Sequence, residues 1–85
     1  MLSAEEIHHL LMVENIIQDP SWPLDAPLIS SGQMDSLDLV NLISILENSY
    51  HISLPDDALV QRNFETCVAI SAIVSTLIGP PNAHS

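Results

Sequence analysis

Apolar residues recur at helical spacing along the first part of the chain. Ser3 and Glu6 form an S-x-x-E capping pair, which satisfies free amide groups of a first turn, and Asp19-Pro20 is a signal that ends a helix. The pattern therefore predicts a helix over residues 4–18. Its apolar positions, which predict a wide buried face, are Ile7, Leu10, Leu11, Met12, Val13, Ile16 and Ile17.

A second helical pattern covers residues 35–50. Asp35 is a good N-cap residue, and Asp38 adds a carboxylate in the first turn, where the helix macrodipole favours negative charge. The second helix is therefore predicted to begin beside Asp35 and to present one apolar face to the core. The residues on that face are Leu39, Leu42, Ile43, Leu46 and Tyr50.

Two further helices are predicted in the second half of the chain. Pro55 is followed by two aspartates, which favours the first turn of a short helix over residues 55–61. Thr66 can cap a fourth helix over residues 66–78, and Gly79-Pro80-Pro81 is expected to end it. Its apolar positions follow the helical period and are Ile70, Ile73, Val74 and Leu77.

The segment between the first two helices predicts a long connection. Its three prolines, at positions 20, 23 and 27, are too dense for a regular helix. It is nevertheless too apolar for a free linker, so we expect it to be pinned to the core by Trp22, Leu24, Leu28 and Ile29. Loops of this length in small domains often carry function. The predicted fold is an all-α, small four-helix bundle with three longer helices, a short third helix and a long first loop.

The length and composition of the chain indicate a single acidic domain. The 85 residues suit one domain with one core, and residues 80–85 are predicted to form a flexible tail. Apolar residues make up 47% of the chain, which excludes a disordered acidic tail. Eleven acidic side chains face one basic side chain, Arg62, for a net charge of −10. Nucleic-acid binding is excluded, because a single cation cannot neutralise a phosphate backbone.

Other classes are excluded by the same inspection. Cys67 is the only cysteine, which excludes an intramolecular disulfide framework and a cysteine zinc cage. No apolar stretch approaches the roughly 20 residues of a membrane span. The first six residues carry no lysine or arginine, unlike a secretory signal or transit peptide. A cytoplasmic location is therefore expected.

The stretch around Ser36 is the clearest candidate for a site of chemical modification. Ser36 follows the capping Asp35, in the first turn of the second helix and directly after the long loop. Amide groups at a helix start lack intrahelical partners and the positive end of the dipole lies there, so a phosphate attached to Ser36 would be stabilised. Leu37 and Val40 are expected beside it on the surface.

This arrangement resembles the acyl carrier protein family. Asp35-Ser36-Leu37 is similar to the family's modification motif, and the stretch from Ile52 to Asp56 is similar to its entry to the third helix. Asn63-Phe64-Glu65-Thr66 resembles the opening of its fourth helix. Together with the element order, the long loop and the acidic charge, the resemblance covers essentially the whole chain. Further matching positions are Leu42, Leu46, Tyr50, Val68 and Ile70.

The resemblance implies a non-enzymatic carrier. Ser36 would receive 4′-phosphopantetheine from coenzyme A through a Mg-dependent phosphopantetheinyl transferase, and the thiol of that arm would hold an acyl or aminoacyl group as a thioester. The implied partners are that transferase, an acyl- or aminoacyl-loading ligase or acyltransferase, and downstream synthase enzymes with basic patches; the carrier itself is expected to be a monomer. Asp35, Leu37, Asp38 and Val40 are the implied partner contacts, since charge steers encounters and apolar groups complete the contact.

Some positions differ from the fatty-acid type of carrier. Asn41 and Asn48 are neutral where those carriers often have carboxylates, and Gly32 stands four residues before Ser36 rather than three. This spacing is similar to stand-alone carriers of specialised metabolism and to the D-alanyl carrier. We therefore expect a carrier that serves a dedicated biosynthetic pathway.

Three other interpretations apply to the same residues. A serine hydrolase would need a G-x-S-x-G elbow and a base near Ser36, and the sequence shows neither. His8 and His9 are adjacent and point to different faces of a helix, which does not suit a metal site. The remaining alternative is an acidic helical adaptor with a carrier-like fold and no prosthetic arm. It differs from the carrier at the Ser36 hydroxyl.

Overall fold

The computed structural model describes residues 2–78, and within them the predicted all-α architecture is confirmed: these residues contain no strand. The third element divides into a 3-10 turn and a short helix. The elements are α1 (Ala4–Val13), α2 (Ser36–Tyr50), the 3-10 turn (Asp56–Ala58), α3 (Gln61–Phe64) and α4 (Cys67–Ile78).

The core is built from pairs of apolar residues spaced four apart, which is the spacing that places two side chains on one helix face. α1 packs against α4, and α3 packs against α4. Each fully buried aliphatic side chain contributes roughly 1.5–3 kcal/mol relative to exposure. The fully buried pairs are Ile7 and Leu11 in α1, Leu42 and Leu46 in α2, and Ile70 and Val74 in α4, joined by Phe64 of α3.

The first helix ends earlier than predicted. The capping pair of Ser3 and Glu6 is present, but α1 ends at Val13 instead of residue 18. Asn15 adopts a left-handed conformation with φ of 63°, which asparagine tolerates better than most residues. The turn brings the adjacent Ile16 and Ile17 both into the core. Val13, predicted to lie on the buried face, is 63% exposed.

The short third helix lies later than predicted, over Gln61–Phe64 instead of residues 55–61. The backbone forms one 3-10 turn over Asp56–Ala58, and Val60 is extended before α3 begins. Two local features favour this break: Val60 is β-branched, and the Asn63 side chain donates to the Ala58 carbonyl at 2.8 Å. Phe64 enters the core as a consequence, with 1% of its surface exposed.

The long loop is pinned to the core as predicted. Leu28 is fully buried, while Trp22, Leu24 and Ile29 are partly buried and pack against the core. Backbone bonds add to this anchoring, because the Val68 amide donates to the Leu24 carbonyl at 3.1 Å. The loop therefore lies over the start of α4.

The fourth helix begins as predicted, since the Thr66 hydroxyl accepts from the Ala69 amide at 2.9 Å. The predicted stop at Gly79-Pro80-Pro81 and the predicted tail over residues 80–85 lie outside the described residues. None of the helices within residues 2–78 has the length and apolar character needed to cross a bilayer.

Candidate functional site at the start of the second helix

Two aspartates fix the start of α2. The Asp38 amide donates to an Asp35 carboxylate oxygen at 2.8 Å, and the Asp35 amide donates back to Asp38 at 3.4 Å. This reciprocal capping box makes Ser36 the first helical residue. The sequence predicts Asp35 as the cap and Asp38 as a first-turn charge, but not the bond that Asp38 accepts.

Ser36 lies on the surface with an available hydroxyl. The side chain is exposed, and it makes no hydrogen bond to another residue in the described range. Because the Leu39 amide donates to the Asp35 carbonyl and the Asp38 amide is capped, the amides of Ser36 and Leu37 have no partner within residues 2–78. A hydroxyl with two available amides beside it is a suitable place for an attached phosphate.

An apolar surface adjoins this hydroxyl. Leu37 is 68% exposed and Val40 is 59% exposed, and they lie three residues apart on α2. Their exposure matches the expectation from sequence. Large aliphatic groups left in water beside a reactive position suit a contact with another protein.

The turn before Ser36 is tightly folded. The Gly32 amide donates to the Ile29 carbonyl at 3.0 Å, and the Met34 amide donates to the Leu28 carbonyl at 2.8 Å. Gly32 has φ of 85°, a conformation that side chains disfavour, although nothing crowds its missing Cβ. Met34 is buried, so the chain is anchored two residues before Ser36.

A carboxylate from the other half of the chain holds this turn. Glu65, between α3 and α4, accepts at one oxygen from the Ile29 and Ser30 amides at 3.0 and 2.9 Å. Its other oxygen accepts from the Ser30 hydroxyl at 3.0 Å and from the Gln61 side chain at 2.8 Å. In the sequence Glu65 is visible only as part of a motif, because a bond across 35 residues leaves no local pattern.

These bonds set the pKa of Glu65. The hydrogen bond from Gln61, followed by that from the Ser30 amide, lowers the pKa of the Glu65 carboxyl below its ordinary value. The ionised form is therefore the one that the folded chain prefers.

We expect the turn to report the protonation of Glu65. A lowered folded-state pKa stabilises the fold above the unfolded pKa, near 4.3, and that contribution is lost as the pH falls through the folded pKa. The Ser30 amide shift, followed by NMR, should accordingly titrate with a midpoint below about 4.3. In Glu65→Gln this titration should disappear. A Ser30 midpoint at or above the ordinary glutamate value would contradict the prediction.

Among residues 2–78, no other reactive group forms a hydrogen bond with Ser36. Cys67 is buried, and burial raises the pKa of its thiol to about 11. No group of three histidine, cysteine, aspartate or glutamate side chains able to hold a metal ion lies within residues 2–78. No hydrogen bond joins a histidine to Ser36 among these residues.

The family model that describes the phosphopantetheine attachment site matches residues 11–77. The chain belongs to this family. No curated protein and no solved structure matches the chain significantly. The resemblance to acyl carrier proteins is thereby confirmed at the level of the family.

A phosphopantetheine-attachment domain is a carrier and not an enzyme: it bears the 4′-phosphopantetheine group and works with a phosphopantetheinyl transferase and further partner enzymes. Such a domain must offer a hydroxyl that a transferase can reach. The start of α2 fits this requirement, because Ser36 is exposed and the amides of Ser36 and Leu37 are available to a phosphate. The matched range includes this turn, the long loop and nearly all of α4.

Proposed function

We propose that Ser36 carries the 4′-phosphopantetheine arm and that the domain presents acyl or aminoacyl thioesters to the enzymes of a dedicated biosynthetic pathway. The observation that supports this most directly is the exposed Ser36 hydroxyl at the start of α2, which makes no hydrogen bond within residues 2–78 and lies inside the range that the family model matches. When bound, the arm supplies a thiol that forms the thioester. The chain's own residues position it and recognise partners.

The environment of other loop serines favours Ser36. Ser21 donates its hydroxyl to Asp19 at 2.7 Å, and Ser30 donates to Glu65 at 3.0 Å. Ser31 donates to the Leu28 carbonyl at 3.3 Å. Transfer to any of these would first break a hydrogen bond that shapes the loop, whereas Ser36 has none to lose among the described residues.

The charges near Ser36 favour recognition by a partner protein more than they stabilise the phosphate of the arm. The amides of Ser36 and Leu37 favour the phosphate, while the carboxylates of Asp35 and Asp38 repel it. The same carboxylates attract a basic partner surface, to which the net charge of −10 also contributes. We infer that Asp35 and Asp38 act in partner encounter as well as in capping.

Leu37 and Val40 form the apolar part of the proposed contact. Replacing each with serine should lower kcat/KM for the transferase by about tenfold, because covering one such side chain contributes about 1.5 kcal/mol or more. The melting temperature should stay unchanged, since both side chains are exposed. Val13→Ser is the matched control, because Val13 is similarly exposed on α1. Equal loss in all three variants would contradict a specific contact.

The glycine spacing supports a dedicated pathway carrier. Gly32 stands four residues before Ser36, as in stand-alone carriers of specialised metabolism and in the D-alanyl carrier. The required left-handed conformation makes this position hard to replace.

The test of the proposed function is the intact mass of the chain after incubation with coenzyme A, magnesium and a broad-specificity phosphopantetheinyl transferase. A gain of one phosphopantetheine, mapped by peptide fragmentation to Ser36, is the expected result. A gain mapped to another residue would refute the assignment of Ser36. No gain on a folded chain, with this transferase and with one from the same source organism, would favour the adaptor without an arm.

A further inference from the structure

Glu65 connects the loop before Ser36 to the junction of α3 and α4. Its carboxylate accepts four hydrogen bonds, from the Ile29 and Ser30 amides, the Ser30 hydroxyl and the Gln61 side chain. Its backbone carbonyl accepts a fifth, from the Leu28 amide at 2.6 Å. Three consecutive residues of the loop are thus attached to one residue of the other half of the chain.

A continuous path leads from this attachment to Ser36. Leu28 donates to Glu65 through its amide and accepts through its carbonyl from the Met34 amide at 2.8 Å. Leu28 and Met34 are both buried. Asp35, which follows Met34 directly, caps α2 at Ser36. The loop that Glu65 holds therefore determines where the capping residue lies.

α2 lies outside the two closest helix pairs of the fold, so its start depends on the loop that leads into it. The close helix pairs of the fold are α1 with α4 and α3 with α4. α2 is anchored by the buried Leu42 and Leu46, which lie in its second and third turns. In its first turn Leu39 is partly buried and packs against the core, whereas Ser36 and Leu37 are exposed.

We propose that Glu65 is a positioning residue for Ser36: by holding residues 28–30, it keeps the first turn of α2 in the arrangement that a phosphopantetheinyl transferase recognises. This inference rests on the proposed function of Ser36. Without the Glu65 bonds, the first turn samples several arrangements and only a fraction of molecules is ready to bind. When fewer molecules are competent to bind, the apparent dissociation constant rises, while the chemistry after binding is unchanged.

The test is the steady-state kinetics of phosphopantetheine transfer to wild type, Glu65→Ala and Glu65→Gln. For Glu65→Ala we expect KM to rise about three- to tenfold with kcat unchanged, the signature of a smaller competent fraction. Glu65→Gln keeps an oxygen for the Ile29 and Ser30 amides, so its KM should stay within about twofold of wild type. Equal KM values for wild type and Glu65→Ala would overturn the proposal.

Glu47→Ala is the matched control. Glu47 is also a glutamate that holds a connection, since its carboxylate accepts from the Leu54 amide at 2.9 Å, but it lies near the opposite end of α2. We expect the KM for transfer to Glu47→Ala to equal the KM for wild type. If Glu47→Ala and Glu65→Ala raise KM equally, the effect is general loosening of the fold and the positioning role is refuted.

Two further measurements keep the outcomes distinct. In the apo chain, Glu65→Ala should speed amide exchange at Met34 and Leu28, whereas Glu47→Ala should not, and unchanged exchange in Glu65→Ala would overturn the proposal without any transferase. If Glu65→Ala does not fold, Glu65→Asp takes its place in the test, because the shorter aspartate side chain cannot reach all the donors. A KM for Glu65→Asp equal to that of wild type would refute the proposal. If the wild-type chain gains no phosphopantetheine, the proposed function itself is refuted. The amide-exchange result still tests whether Glu65 holds the loop before Ser36.

Discussion

Ser36→Ala is expected to abolish the gain of phosphopantetheine completely, because it removes the only oxygen to which the arm is proposed to be attached. Folding should be unaffected. Ser36 is exposed and its hydroxyl makes no hydrogen bond within the described residues, so the free energy of unfolding should change by less than about 0.5 kcal/mol. Intact mass after transfer and a melting curve of the same sample measure the two effects separately.

Ser53→Ala is the control for this experiment. Ser53-Leu54 repeats the serine-leucine dipeptide of Ser36-Leu37, and Ser53 is also exposed. It precedes a single 3-10 turn instead of a long helix, and Leu54 is buried where Leu37 is open to solvent. Full modification of Ser53→Ala is expected. Full modification of Ser36→Ala would show that the arm is attached elsewhere.

Leu46→Ala should have the largest effect on stability. Leu46 is fully buried in α2, and truncating such a leucine costs about 2–5 kcal/mol. The total stability of a domain of this length is about 4–13 kcal/mol, so the loss is a large share of it. The melting temperature should fall by about 10–30 °C. Urea unfolding followed by the fluorescence of Trp22, which packs against the core, measures the loss.

Leu37→Ala is the comparison on the same helix. The side-chain chemistry is identical, but Leu37 is 68% exposed. Its free energy of unfolding should change by less than about 0.5 kcal/mol. If both variants lose the same stability, the described packing of α2 is wrong.

Much of this molecule follows from local sequence rules. Ser3 and Glu6, Asp35 and Thr66 mark helix starts because their side chains satisfy amides only three residues away. The burial of Leu42 and Leu46 follows from their spacing. The place of Ser36 beside a capping residue is visible in the same way, whereas the arm proposed for it comes from the family resemblance.

The parts that sequence analysis missed depend on distant contacts. A helix could continue through Ile16 and Ile17 by periodicity, but burying both isoleucines favours the turn at Asn15. The third helix breaks because burial of Phe64 and the bond from Asn63 outweigh a helical continuation. The bonds that Glu65 makes to the long loop leave no local signal, because Ile29 and Ser30 lie in the other half of the chain.

The burial of Cys67 has a consequence for thioester chemistry. With its pKa raised to about 11, the Cys67 thiol is ionised in roughly one molecule in ten thousand at neutral pH, and only the thiolate attacks a thioester or a disulfide. The protein's own cysteine therefore does not compete for the acyl group that a phosphopantetheine thiol would bear. At neutral pH the proposed arm would therefore meet no competing thiolate from Cys67.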